Sequence, residues 1–200
     1  MKEKLNVNQI PELKQAILDL TTKEKDQMLV RLINKDQILI EQLHFKLLED
    51  EFDLIKRFED LKNEINEQLD ANRHLISAAS VYLRGKLYLS LIRNLSGKIN
   101  HFAKVTKSTS YELELRTFLL VKSSEFFKTI QNEDTIFAFK ARVYQVTKLK
   151  TILKLLEKQH EDLKYDFVLN YVDDLEMYVF NSLRTEINLA NLNIEALRNH

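Results

Sequence analysis

The chain has 200 residues, of which 44% are hydrophobic, and its 30 basic and 30 acidic side chains leave no net charge. This is enough apolar material to fill the core of one domain of ordinary size. Zero net charge argues against a general nucleic-acid or membrane binder, because such proteins usually carry a positive excess. With no cysteine, the sequence excludes a disulfide framework, a thiolate nucleophile and a Cys-ligated zinc site.

Glycine and proline are scarce, with two and one in the chain. Hairpins, sandwiches and nucleotide-cradling loops need more of both, so long helices are the simplest solution. We predict an all-α fold, a single-domain antiparallel bundle of about seven or eight helices over residues 1–200. We expect short helical hairpins over 1–50, longer antiparallel helices over 51–190 and a frayed tail over 191–200.

The N-terminal segment, MKEKLNVNQIPELKQ, is charged and contains no apolar run of signal-peptide length. No stretch of the chain reaches the ~18 uncharged apolar residues typical of a membrane span. We therefore expect a soluble, cytoplasmic protein without membrane contacts.

Several polar residues mark helix ends near the N-terminus. Pro11 favours the first turn of a helix, and Thr21 with Glu24 has the spacing of a capping box for the next one. Asn34 can close that second helix, and Asp36 can open a third. The pattern predicts short helices with tight connections.

The rest of the chain has longer helical periodicity. Apolar residues recur every three or four positions over 52–69, which predicts an amphipathic helix of about five turns that ends in a turn at 70–72. A more apolar helix follows, and Gly97 is expected to end it. Two further helical stretches are predicted, from 134 to about 159 and from about 162 to 188.

Charge is distributed unevenly along the sequence. Residues 49–70 carry three bases and nine acids, whereas 71–111 carry seven bases and no acid. A Lys-rich stretch over 135–158 similarly precedes an acid-rich one over 159–176. Both arrangements favour neutralisation between consecutive helices, by exposed ion pairs that contribute ~0–1 kcal/mol each.

The alternative is that the basic segment 84–107 binds a polyanion or nucleic acid. The side chains that would contact phosphates are Lys86, Arg93, Lys98, Lys104 and Lys107. The aromatic residues that could stack on bases are Tyr82, Tyr88, Phe102 and Tyr111, although aromatic side chains at helical spacing are more often part of a core.

Catalytic and metal-binding patterns are weak. The pairs Glu41/His44 and Glu157/His160 have the Glu-x-x-His spacing of half a di-iron site, but Glu41 points away from the apolar side of its helix. We interpret His160 as a hydrogen-bonded core or boundary residue. We predict no catalytic residue, no metal and no cofactor; a metal-dependent helical-bundle enzyme is the third alternative.

Three segments carry a resemblance to known proteins. The segments KQHEDLKYDF, at residues 158–167, and STSYELELRTFLL, at 108–120, resemble a family of all-helical bacterial proteins of unknown function. The segment LTTKEKDQMLVRLINKD is similar to HEAT-like hairpins. The resemblance implies a helical fold and a cytoplasmic setting, with no activity to transfer. Its most distinctive residues are His160, Glu161, Asp162, Tyr165 and Asp166, for which we favour a helix junction with Asp162 as the cap.

The sequence as a whole favours a non-enzymatic protein-interaction or scaffold protein. Its partner would be another protein or a second copy of the chain, with nucleic acid less favoured. An apolar helix face is available for self-association, formed by Val168, Val172, Leu175 and Val179.

Overall fold

The computed structural model describes residues 6–131, 133–194 and 197. Every regular element in that part of the chain is helical, so the all-α prediction is confirmed. The α-helices are α1 (Pro11–Asp19), α2 (Thr22–Ile33), α3 (Gln37–Leu48), α4 (Glu51–Ala78), α5 (Val81–Thr106), α6 (Thr109–Phe126), α7 (Lys128–Gln131), α8 (Ile136–Leu156), α9 (Glu161–Leu175) and α10 (Arg184–Leu189). A 3₁₀ turn (Val7–Gln9) precedes α1, and a π-helical segment (Glu176–Phe180) follows α9. None of these helices is long and apolar enough to cross a membrane.

The chain divides into two compact units, Met1–Leu48 and Glu49–His200. In the first unit the predicted caps are present: the Thr21 hydroxyl and the Glu24 carboxylate each bind the other residue's backbone N–H. Asn34 is the C-cap of α2, and the Asp36 carboxylate accepts the N–H groups at the start of α3. That these hairpins are HEAT-like, and that the chain is one domain, stay predictions.

Helix α4 is longer than predicted. The turn predicted at 70–72 is wrong, because the helix continues through these residues to Ala78. Ile76, which follows the predicted turn, is buried. Asn72 donates its side-chain amide to the Gln68 carbonyl and stays within the helix. The actual turn lies at Ala79 and Ser80, where the backbone is extended.

Helix α5 is not interrupted at Gly97, so the predicted helix end there is wrong. Gly97 has no positive φ, and Ile99 and Phe102 beyond it are buried. A glycine inside a helix costs only ~1 kcal/mol relative to alanine, which this burial outweighs. The helix instead ends where Lys107 adopts the left-handed conformation, with φ of 55°.

The C-terminal half contains more and shorter helices than predicted. The break at His160 is confirmed, but the stretch expected to be one helix from 162 to 188 divides into α9, the π-helical segment and α10. Half of the predicted frayed tail, at 195, 196 and 198–200, lies outside the described residues. Leu197, which is described, is buried.

The second unit contains two apolar clusters, and α6 contributes side chains to both. One joins α4, α5, α6 and α7 with the start of α8, and the other joins α6, α8, α9, the π-helical segment and α10. The face predicted for self-association lies in the second cluster: Val172, Leu175 and Val179 are buried, and Val168 packs against them. That face is therefore inside the fold.

A buried polar contact ties α5, α6 and α8 together. The Gln145 side-chain amide lies 2.8 Å from the Tyr88 hydroxyl and 2.9 Å from the Ser124 hydroxyl, and donates to both. All three side chains are essentially inaccessible to solvent. The contact fixes the rotation of α8 against α5, because any turn of either helix would leave a buried amide without partners.

Helices α5 and α8 approach closely at Gly85. A Cβ at this position would lie 3.0 Å from the Ala138 nitrogen and 3.2 Å from Phe137 Cβ. Eight residues further along α5, Arg93 lies over Tyr144. From the first contact to the second, the residue numbers increase along both helices, so α5 and α8 run parallel.

The two glycines predict opposite effects of alanine. In Gly85→Ala the new methyl must displace the α8 backbone, so we expect a loss of about 1–3 kcal/mol in the free energy of unfolding. In Gly97→Ala the methyl enters open space, so we expect a gain of about 0.5–1 kcal/mol. Urea unfolding followed by circular dichroism measures both. Equal tolerance of both substitutions would contradict the close approach of α5 and α8.

Candidate functional site

In the two helices that meet at Gly85, every charged side chain is basic. Between Val81 and Thr106, α5 carries five Lys or Arg residues and no Asp or Glu. Between Ile136 and Leu156, α8 likewise carries five and none. The fold therefore sets two cationic helices side by side, an arrangement that the order of charges along the sequence does not indicate.

The predicted neutralisation between consecutive helices is formed only in part. Lys98 of α5 pairs with Glu64 of α4, as expected for that hairpin. In the second predicted pair, α8 and α9, no described residue forms an ion pair with the lysines of α8: Lys140, Lys150 and Lys154, which are exposed, and Lys148, which is half-buried. Arg142 of α8 pairs with Glu186 of α10.

The exposed surface where α5 and α8 meet is here called the seam. It consists of Lys86 and Arg93 on α5 and of Lys140, Tyr144 and Lys148 on α8. The Tyr144 ring is half-buried and lies close to two cations: the Arg93 guanidinium carbon lies 5.5 Å, and the Lys148 ammonium 4.8 Å, from its centroid. Contacts of this kind contribute about 0.5–1 kcal/mol when exposed, and they hold both charges at the surface.

The five predicted phosphate-contacting residues are not all brought together. Lys86 and Arg93 lie two turns apart on one line of α5, facing α8. Lys104 continues that line, since it is 18 residues, or about five turns, beyond Lys86. Lys98 lies on another flank, against Glu64, and Lys107 lies in the left-handed cap after the helix.

Two carboxylates that lie near α5 are bound to arginines. At its start, Arg84 of α5 pairs with Glu133, which is almost fully buried. On α6, Arg116 binds the Glu112 carboxylate at 2.6 Å and also donates to Asn100 of α5 at 2.8 Å. Within the part of the chain that the structure describes, Lys86, Arg93, Lys140 and Lys148 form no ion pair. Their charges are therefore available to a ligand.

Sequence reasoning missed Lys140, Tyr144 and Lys148. The signal that could have found them is the absence of acids from both 71–111 and 136–156. Only the tertiary contact of α5 with α8 shows that the two acid-free stretches form one surface.

The segment that carries the family resemblance forms the start of α9. His160 is the N-cap, its Nδ1 accepting the Asp162 N–H at 3.4 Å, so the cap is His160 and not Asp162. The side chain of His160 is 75% exposed, which corrects its interpretation as a core or boundary residue. Glu161 pairs with Lys164 at 2.7 Å, and Tyr165 is exposed.

Asp166, the last of its five distinctive residues, lines a cavity of about 250 Å³ between α6 and α9. Tyr171 lines the same cavity and donates its hydroxyl hydrogen to Glu114, which pairs with Lys62 of α4 at 3.5 Å. Burial, and then this hydrogen bond, raise the pKa of the Tyr171 phenol above its ordinary value. In the described residues no group of three or more His, Cys, Asp or Glu could hold a metal ion.

The raised pKa of Tyr171 predicts an alkaline loss of stability. The pKa of Tyr171 in the folded protein exceeds its unfolded value of 10.0. The neutral phenol therefore makes its full contribution to the free energy of unfolding below pH 10.0, and this contribution falls as the pH rises above that value. Tyr171→Phe should reduce this fall, measured as the free energy of unfolding over an alkaline pH series. Tyr165→Phe, at an exposed site, is the control and should leave the fall unchanged.

Comparisons with known proteins add no identity to this geometry. No protein-family model, no curated protein and no solved structure matches the chain. The resemblance to a helical bacterial family stays a prediction.

Proposed function

We propose that the protein binds nucleic acid, through contacts between phosphate groups and the seam. The observation that carries this proposal is the parallel packing of α5 and α8, two helices with ten cations and no carboxylate between them. Lys86, Arg93, Lys140 and Lys148 have no carboxylate partner among the described residues. Phosphates would supply the missing counter-charge.

Zero net charge does not oppose this proposal, because charge is segregated between the flanks of α5. The acid-rich α4 packs on the flank that carries Lys98, and α8 packs on the flank that carries Lys86 and Arg93. Electrostatic interactions at physiological salt are screened over about 8 Å, which is less than the ~10–12 Å diameter of a helix. A ligand on the seam therefore experiences the local positive charge more than the distant acids.

A protein-interaction role is the second candidate, favoured by the first compact unit. Its described residues, 6–48, include none that is fully buried. Large apolar side chains on α2 and α3 are more than half exposed, namely Leu29, Val30, Leu32, Leu47 and Leu48. Such a surface is typical of a protein contact, and sedimentation of the purified chain over a range of concentrations tests for self-association.

Charge reversal on the seam tests nucleic-acid binding. In Lys86→Glu/Arg93→Glu we expect the affinity for a labelled oligonucleotide to fall at least about tenfold, measured by fluorescence anisotropy. If all four seam cations contact phosphates, log K for the unmodified protein should fall with log[salt] at a slope of about −3 for a single strand. Each lost contact should reduce that slope by about 0.7.

Two further sets of variants separate the seam from general charge effects. Lys35→Glu/Lys56→Glu makes the same change in net charge at exposed positions outside the seam and should leave affinity nearly unchanged. Gly97→Glu places a carboxylate beside Arg93 without removing any contact, and should weaken binding where Gly97→Ala does not. Equal losses in the two charge-reversed double variants, or no binding at low salt, would refute the proposal.

A further inference from the structure

Aromatic rings alternate with cations along the seam. At its start, Tyr82 of α5 packs edge-on against Phe137 of α8, with centroids 5.0 Å apart and planes at 77°. The Lys140 ammonium lies 5.5 Å from the Phe137 centroid. Two turns further along α8, Tyr144 lies close to Arg93 and Lys148.

Tyr82 differs from the other aromatic residues that could stack on a base. Tyr88 and Phe102 are buried, and Tyr111 packs on Phe58 with ring centroids 4.7 Å apart. The Tyr144 ring is half-buried and already has two cations within 5.5 Å of its centroid. Tyr82 is 58% exposed. It therefore offers an aromatic surface next to Lys86 and Lys140, which can hold the adjoining phosphates.

The seam is too wide to contact the bases of a DNA duplex through its major groove. Two packed helices have axes ~8–10 Å apart and span roughly 20 Å with their side chains. The major groove of B-DNA is only ~12 Å wide and admits a single helix. A duplex could therefore contact the seam cations through its phosphates, but its stacked bases could not reach the Tyr82 ring.

We propose that the nucleic acid bound by the seam is single-stranded, with one unpaired base stacked on Tyr82 and the neighbouring phosphates on Lys86 and Lys140. This inference rests on the proposed function and specifies its ligand. Cationic grooves with exposed aromatic rings are the usual means of binding single strands without sequence preference.

The absence of tryptophan from the chain makes a direct test possible. Tyr82→Trp introduces a single indole at the stacking position, and a single-stranded oligonucleotide should quench its fluorescence. Inorganic polyphosphate, which carries the charge without the bases, should bind the seam but leave the fluorescence nearly unchanged. A duplex oligonucleotide should behave as polyphosphate does.

Affinity provides the second measurement. Tyr82→Ala should weaken single-strand binding by about five- to hundredfold and leave polyphosphate binding unchanged, since a stacked base is lost and no charge is removed. Tyr165→Ala is the matched control, because Tyr165 is 56% exposed but lies on α9, outside the seam. Circular dichroism of both variants checks that each is folded.

The outcomes distinguish this inference from the function on which it rests. If Lys86→Glu weakens binding but Tyr82→Ala does not, or if duplex and single strand quench Tyr82→Trp equally, the stacking inference is overturned and phosphate binding stands. If neither oligonucleotide nor polyphosphate binds at low salt, the proposed function fails as well.

Discussion

The buried contact of Gln145 with Tyr88 and Ser124 is the constraint on which the second unit depends. It connects three helices through hydrogen bonds of 2.8 and 2.9 Å in a site without solvent access. Leaving one of these groups unsatisfied would cost about 1–3 kcal/mol. Together with the absence of a side chain at Gly85, it defines the rotation and the distance of α8 against α5. Two helices of like charge are thereby held in contact, with their apolar faces inward and their cations at the surface.

From this constraint follows the division of charge around α5. Helix α5 packs against two helices: α4, with its carboxylates, lies on one flank, and α8, with further cations, lies on the other. The Lys98–Glu64 pair neutralises the first flank in part. On the second flank, aromatic rings lie next to Arg93, Lys140 and Lys148, which form no ion pair with any described residue. A neutral chain can in this way present a basic surface.

Sequence reasoning succeeded at two sites where the deciding interaction is local. The Thr21–Glu24 capping box and the break at His160 depend on residues within one helical turn, and both are present. It failed at Gly97 and at 70–72, where burial of later apolar residues such as Ile99 and Ile76 outweighs weak helix-breaking preferences. The seam depends on a contact between helices that are not consecutive in the chain. The alternation of acidic and basic stretches instead predicted that each basic helix would pack against the acidic helix next to it in sequence.

The segregation of charge in the second unit also limits the range of its electrostatic field. A protein with a net charge acts as a monopole, whereas acids and bases on opposite flanks of α5 form a dipole, whose field falls off more steeply with distance. Long-range steering of the kind that accelerates association of oppositely charged molecules is then weak. A ligand would be captured only after it comes within a few ångströms of the seam, so its residence time, more than its rate of arrival, would determine occupancy.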